Sequence, residues 1–435
     1  MNITKISDFL SGKNVEEYYQ LYKSTQWYDK KRMEEYQFNK LRNLIIHVHE
    51  NVPFYKKYMA DKDITPDDFT SIKSLELFPI ITKEIIQDNY KAFIPENIEK
   101  IKGVKTGQTG GTTGNILYNR NDAATRSSTW AAFKRFEDWM KITRNDKTLS
   151  LMGGHVIGHQ IKHRIKNSVK GILKNKISFS PYDTSEENIN NIIEVLKSKN
   201  ISFIRSYSQF LFSLSHRLKN EGLSFNIKAI STTAEPLTEE HRKLFKEVFN
   251  AEIFDQYGFG EIGGVAFECE HHKGLHITEE RAIVEVNDNN ELIVTDLDNY
   301  AMPFLRYWNA DQAIIDEELC SCGRKSALIK KIMGRTCDYI IGLNGEFLHW
   351  AYFWHLLFDS EIAKTKNLRK FQVRQKSRDE LLIRLVSDPI SPELQNILIS
   401  NIQSRIGAIQ IRFSFEKDIE NSASGKYRPV VNELL

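Results

Sequence analysis

Four threonines and four glycines share the ten residues TGQTGGTTGN, Thr106 to Asn115. Glycine lets a backbone approach a ligand closely and take positive φ, and threonine hydroxyls donate to oxygen-rich groups, so phosphate is the chemistry these residue types suit. The stretch lacks the lysine of GxxxxGK[ST] and the spacing of GxGxxG, so neither common phosphate-binding fold is supported. On these ten residues alone a flexible turn is as good a reading. A second chemistry is metallic: CEHHKGLH, Cys269 to His276, and CSCGR, Cys320 to Arg324, supply thiolates and imidazoles on either side of a hairpin pattern, as a zinc clip would. The chain has four cysteines, Cys269, Cys320, Cys322 and Cys337. In a reducing compartment that number favours metal over disulfides, although a lone CxC also suits small buried side chains.

The elements that must position these residues are legible in the middle of the chain. TSEENINNIIEVLKSK opens with a Thr184 and Glu187 capping box and carries apolar residues at helical spacing. ISFIRSYS then reads as a strand, QFLFSLSHRLKNEG as a helix, IKAISTT as a strand, TEEHRKLFKEVF as a helix with acids in its first turn, and AEIFDQYG as a strand. Alternation of this kind predicts a parallel sheet, whose ligands gather beyond the carboxyl ends of the strands. TTAEP, Thr232 to Pro236, and YGFGE, Tyr257 to Glu261, both fall there. RAIVEVNDNNELIVTDL reads as a hairpin. Before all this, from Val15 to about Met59, the pattern is helical and ends at Pro53. After GRTCD, Gly334 to Asp338, come KFQVRQ, ELLIRLV, a helix with Pro392 at its first position and Gly407 past its end, and QIRFSFE. The fold class expected is α/β: a large domain over 1–335 with mainly parallel sheets and a hairpin or barrel-like part, and a small mobile α+β domain over 336–435. The large domain includes a helical segment at about 15–60 and the candidate clip at 269–322.

At 435 residues the chain suits one large domain and a smaller one. Sixty basic against 57 acidic residues leave a formal charge of +3, which gives no global case for nucleic acid. KHRIKNSVKGILKNK, Lys162 to Lys176, is a local exception, either a solvated face or a surface for a polyanion. No run reaches the roughly 18 apolar residues of a membrane span, and the first residues lack a signal-peptide core, so a cytoplasmic protein is expected.

Taken in order, TGGTTGN, TTAEPL, YGFGE, MPFLRYWNAD, GRTCD and SASGKYRP resemble the ordered motifs of the adenylate-forming, acyl-activating enzymes. The chain is most similar to the phenylacetate:coenzyme A ligase branch, including its capsular polysaccharide biosynthesis homologues, and NVPFYKKYM, LFPIITKE and ECEHHKGLHI strengthen that likeness. The resemblance implies an AMP-forming ligase that joins a small carboxylic acid to ATP and hands the acyl group to coenzyme A, or to an amine or sugar. It implies that Thr109, Gly110, Gly111, Thr112, Thr113 and Gly114 cradle the phosphates, with Thr112 catalytic. Glu261 would hold Mg²⁺, and Ala234, Glu235 and Pro236 would wall the adenine. Tyr257 would pack on the ring, Gly258 would be among the cofactor-binding residues, Asp311 would accept the ribose hydroxyls and Arg335 would pair with ribose or phosphate. Lys426 in a C-terminal loop would reach the α-phosphate and the substrate carboxylate. Both reactants are anionic and charge gathers on the phosphoryl oxygens, so hydroxyls, amides and cations are the residue types required. Trp130, Phe133 and His155 are candidates to line the acyl site. Cys269, His276, Cys320 and Cys322 form the zinc set the resemblance implies, with His271 and His272 rivals for the place of His276.

Departures from the family pattern are Asn115, Gly260, Trp308 and Cys337, together with GLNGEFLHWAYFWH after the hinge. They motivate a second reading, a non-catalytic nucleotide-binding scaffold. A third is a zinc hydrolase using His271 or His272 with Glu268 as base. The 25 phenylalanines and 17 tyrosines mostly fill cores, so they do not single out an aryl acid. A homodimer is compatible with this reading.

Overall fold

The computed structural model describes residues 14–108, 117–152, 175–181, 186–235, 237–316, 318–335, 339–345, 347–349, 352–353, 356–357, 368–420 and 428–434. These form two compact units: one from the described residues through 108, 117–309 and 313–332, the other from 310–312 and the residues from 333 onward.

In the first unit three helices come first, α1 (Val15–Thr25), α2 (Lys30–Asn51) and α3 (Pro53–Asp61). Pro53 ends α2 as the sequence suggests, but it also starts α3 at its first position, where a missing N–H costs nothing. A short helix α4 (Lys83–Asp88) and the hairpin of β1 (Lys105–Gln108) and β2 (Tyr118–Asn121) follow. Next come α5 (Ala123–Trp139), β3 (Thr148–Leu151), β4 (Lys176–Ser178), α6 (Glu186–Ser198), β5 (Phe203–Tyr207), α7 (Ser208–Asn220), β6 (Ala229–Thr233), α8 (Glu239–Phe249) and β7 (Glu252–Phe259). The Asp122 carboxylate caps α5 by accepting from the Thr125 amide, and Thr238 caps α8 by accepting from that of His241. The alternation expected of this segment is what forms, and β4, β3, β5, β6 and β7 lie parallel.

Six more strands extend that sheet from β7: β8 (Gly263–Glu268), β9 (Leu275–Ile277), β10 (Ala282–Val286), β11 (Glu291–Asp296), β12 (Tyr307–Asp316) and β13 (Leu328–Arg335), with β7–β8, β8–β9, β9–β13 and β10–β11 pairing antiparallel. The eleven strands run in the order β10-β11-β12-β13-β9-β8-β7-β6-β5-β3-β4. The hairpin read from RAIVEVNDNNELIVTDL is β10 with β11. α5 packs on one face of the parallel half, where Phe136 and Ala132 meet Phe203, Ala229, Phe254 and Phe267 in one apolar cluster with Tyr22 of α1. A second cluster joins α2 and α3 to the antiparallel half through Leu41, Ile45, Tyr55, Val265 and Val294. Burial at about 25 cal/mol per Å² makes these two clusters the main stabilising force of the unit.

The second unit holds β14 (Tyr339–Ile341) with β15 (Phe347–His349), and a four-stranded sheet of β16 (Lys370–Ser377), β17 (Glu380–Val386), β18 (Gln410–Phe415) and β19 (Val430–Asn432). Helix α9 (Pro392–Ile406) covers it through Leu398, Ile402 and Ile406, capped by Ser391 and followed by Gly407 at φ 89°. Among the described residues no helix is long and apolar enough to cross a membrane.

Candidate functional site

The parallel strands β5, β6 and β7 present their carboxyl ends at one edge of the sheet. Beyond β6 the chain turns at Ala234, whose φ of 67° is left-handed and strained for a residue with a Cβ, a backbone state that clusters at functional sites. Ser208, at the start of α7, donates to the carbonyl of Glu235 over 3.2 Å and so fixes that turn. Beyond β7 the chain reverses directly into β8. That reversal is tight enough that a Cβ on Gly258 would lie 2.2 Å from the Gly263 carbonyl oxygen, so glycine is required at 258. Glu261 sits in the turn and is buried at 9% exposure.

Three side chains from distant parts of the sequence hold this turn. Tyr307 Oη donates to Glu261 Oε1 over 2.9 Å, and among the described residues the second carboxylate oxygen has no hydrogen-bond partner. Asn119 Nδ2 of β2 donates to the carbonyl of Gly260 over 2.9 Å. Arg281, fully buried, donates from Nη1 to the Gly264 carbonyl over 2.7 Å and from Nη2 to the Ile262 carbonyl over 2.9 Å. Its charge is faced by the equally buried Asp296 at 3.7 Å. Nearby, the Tyr257 hydroxyl accepts from Asn309 Nδ2 over 2.7 Å, which fixes the ring. A buried carboxylate with one oxygen unpartnered among the described residues, a fixed aromatic ring and a strained turn at the carboxyl edge suit a magnesium nucleotide.

The cysteine and histidine residues form a separate group. Cys269, His276, Cys320 and Cys322 each offer a ligand atom, and these atoms all lie within 4.8 Å of one another. Cys269 Sγ is 3.7 Å from Cys320 Sγ, and Cys322 Sγ is 3.3 Å from His276 Nε2. Tetrahedral zinc, with bonds of about 2.3 Å to sulfur and about 2.0 Å to nitrogen, sets its ligand atoms about 3.5 to 3.8 Å apart, so the group fits that ion. His276 Nδ1 meets Ser326 Oγ at 2.9 Å, which turns Nε2 toward the thiols. Burial, with Arg324 and Arg135 nearby, holds the His276 pKa down to about 4, so the ring is the neutral ligand form at neutral pH. Burial pushes the Cys269 thiol up, as expected of a thiol that only a cation would ionise. His271 faces Ser321 and His272 faces Glu268, so neither rival points at the thiols. Glu268, the base of the hydrolase reading, is engaged by Arg242 at 2.8 Å.

Residues 355–433 match the CapK C-terminal domain. The chain is 26% identical over 334 residues to the phenylacetate-coenzyme A ligase of Thermus thermophilus, covering 72% of each chain. It is 25% identical over 331 residues to that of Escherichia coli, covering 70% of this chain and 71% of the relative. A crystal structure of a 2-hydroxyisobutyryl-CoA ligase in its postadenylation state shares the fold at a TM-score of 0.72 and 15% identity, covering 94% of this chain and 91% of that one. These likenesses are to adenylate-forming, acyl-activating enzymes. They support the phenylacetate-coenzyme A ligase-like branch and an AMP-forming ligase.

In this adenylate-forming ligase, Ala234, Glu235, Tyr257, Gly258 and Glu261 come together at the carboxyl edge. Asp311 is buried on β12, and Arg335 is the last residue of β13. Trp130 and Phe133 lie on α5 with ring centroids 5.7 Å apart. Thr109, Gly110, Gly111, Thr112, Thr113, Gly114, Asn115, His155, Pro236, Cys337 and Lys426 lie outside the described residues. Asn119, Arg281, Tyr307 and Asn309 are site-supporting residues that the sequence reading missed. Tyr307 and Asn309 lie within the MPFLRYWNAD motif, which gives them no individual role, and Asn119 and Arg281 carry no local signal, since each acts across a separation that only the fold closes.

Removing a buried charge from a matched pair leaves its partner unpaired, so Arg281→Met is expected to lower the unfolding free energy by about 3 to 5 kcal/mol, measured by chemical denaturation. Burial pushes the Asp296 pKa from 3.8 up to about 6. The folded carboxyl thus keeps its proton over a range where the unfolded one has lost it, and this group's contribution to stability falls as pH rises through that window. Asp296→Asn removes the dependence. The melting temperature of Asp296→Asn relative to the parent should therefore rise between pH 4 and pH 7, and a flat difference would contradict the assignment.

Proposed function

We propose that this ligase activates a small carboxylic acid with ATP, releases pyrophosphate, and passes the acyl group of the resulting adenylate to coenzyme A. The observation that carries the reading is Glu261, buried in the β7–β8 turn with one oxygen on Tyr307 and the other without a hydrogen-bond partner among the described residues, as a metal ligand would need. Its oxygen ligand is the kind Mg²⁺ prefers, and the ion would neutralise the phosphate charge that otherwise repels the incoming carboxylate. Tyr257, steadied by Asn309, would pack on the adenine beside the Ala234 turn. Lys426, and the hydroxyls of Thr109, Thr112 and Thr113, would stabilise the charge that develops at phosphorus. Asp311 would accept the ribose hydroxyls. The phenylacetate-coenzyme A ligases among the relatives support coenzyme A as acceptor, and the CapK C-terminal match supports a role in cell-surface polysaccharide biosynthesis. Zinc held by Cys269, His276, Cys320 and Cys322 would be structural, because four protein ligands leave no open position for water.

The test is carboxylate-dependent exchange of labelled pyrophosphate into ATP across a broad acid panel. Exchange with at least one acid is expected, falling about 10²- to 10³-fold in Glu261→Gln and in Lys426→Ala. A coenzyme A thioester should then form with the same acid. No exchange with any acid would overturn the reading, and exchange without thioester would move the acceptor to an amine or sugar.

Elemental analysis of the purified chain should give one zinc per molecule. Cys322→Ser should lose the metal and lower the melting temperature even without substrates. Absence of metal in the parent chain would refute the structural clip.

A further inference from the structure

On the sheet face covered by α5, alternate residues of each strand share one environment. Phe203, Ala229 and Phe254 on β5, β6 and β7 lie in the apolar cluster with Phe136 of α5. Two residues further along β5 and β6, on the same face, stand Arg205 and Ser231, directly opposite one another. Gln256 lies two residues beyond Phe254, opposite Thr233. Polar groups therefore replace apolar ones as the face approaches the carboxyl edge.

Two of these polar groups, Ser231 and Gln256, carry a buried atom that the described residues around them do not serve. Ser231 is 1% exposed and Gln256 6% exposed, and among the described residues neither Ser231 Oγ nor Gln256 Oε1 has a hydrogen-bond partner. Native structures rarely leave such atoms buried and unpaired without a functional reason. The Arg205 guanidinium lies 5.1 Å from the ring centroid of Phe133, which itself adjoins Trp130. The charge it feels most is that of Glu137, one turn along α5, so its neutralisation does not require an anion from outside. Arg205 and Ser231 are each two residues short of their strand ends, about 7 Å below the rim where Glu261 and Tyr257 sit.

We infer that the acid this ligase activates carries a hydroxyl group remote from its carboxylate, received by Arg205, Ser231 and Gln256. This rests on the proposed adenylation at the rim, where the reacting carboxylate must lie. A hydroxyl both accepts and donates: it takes hydrogen bonds from Arg205 and Ser231 and gives one to Gln256 Oε1. A hydrocarbon or plain aryl tail would leave Ser231 Oγ and Gln256 Oε1 unmet. A second carboxylate would satisfy Arg205 and Ser231 but offer nothing to the Gln256 oxygen, and would add a negative charge with no cation left to match it, because Glu137 already balances Arg205. A site with buried hydrogen-bonding groups rejects an analogue lacking the matching hydroxyl.

The experiment uses matched acids: hexanoate against 6-hydroxyhexanoate, and phenylacetate against 4-hydroxyphenylacetate. Each is measured by pyrophosphate exchange and, without ATP, by calorimetric binding to the full chain. The hydroxylated member of at least one pair should be preferred at least tenfold in both measurements, and the ratio should fall below threefold in Ser231→Ala and in Arg205→Met. Because the readout is a ratio within one protein preparation, partial loss of folded material does not change it. Equal use of both members, or a preference that survives both substitutions, overturns the inference. If exchange fails for every acid while the binding preference and its loss in the variants persist, the adenylation reading falls and the hydroxyl site stands. If binding shows no preference either, the hydroxyl site falls with it.

Discussion

A guanidinium with no access to solvent fixes the turn on which the candidate chemistry depends. Arg281 reaches from the hairpin half of the sheet and donates to the carbonyls of Ile262 and Gly264, on either side of Gly263 and directly after Glu261. Burying that charge is costly, and the cost is offset only by charge-assisted hydrogen bonds and by the facing carboxylate of Asp296. The fork of Arg281 cannot keep both carbonyls unless the turn keeps its shape. Gly258 permits the close approach of β7 to β8, and Asn119 and Tyr307 hold the segment from the other side. A carboxylate meant to position a metal needs this rigidity, because a displacement of an ångström is enough to spoil a near-attack geometry.

The elements that were legible in the sequence are those whose signals are local. Apolar periodicity located α6, α7 and α8 between their strands, and Pro392 and Gly407 bracketed α9 as its ends require. The asparagine-rich turn gave the β10–β11 hairpin. Local signals mislead where one residue serves two elements, as Pro53 does in ending α2 and starting α3. They are silent where partners are far apart. Arg135 and Glu280 form a buried pair 145 positions apart, and Arg281 bonds to a turn nearly 20 residues upstream. An arginine in isolation reads as a surface residue, and only the closed fold shows which ones are buried.

The cysteine and histidine group illustrates the same boundary at finer scale. Spacing along the chain offers three histidines, His271, His272 and His276, within one short segment. Strand register separates them: His276 lies on β9, opposite Phe267 of β8 and Leu328 of β13, while the other two precede the strand and turn to Ser321 and Glu268. Composition can suggest a clip, but which imidazole faces the thiols is a property of the sheet.

The two sites are mechanically connected through a single strand. β8 begins at Gly263, two residues after Glu261, and ends at Glu268, next to Cys269. Six extended residues span about 20 Å, so one strand carries the candidate nucleotide turn at one end and the metal group at the other. Arg281 grips the first end, while Cys269 and His276, the latter opposite Phe267, fix the second through the β9 pairing. A structural ion there would therefore do more than staple a loop after β12. It would hold the register of β8 against β9, and a strand that slips by one residue would turn Val265 and Phe267 to the opposite face of the sheet. Since Phe267 packs against Phe133 and Phe136, such a slip would also disturb α5 and the face where Arg205, Ser231 and Gln256 gather. The metal group would thus support the proposed acid-binding face through strand register rather than through contact with the reacting atoms.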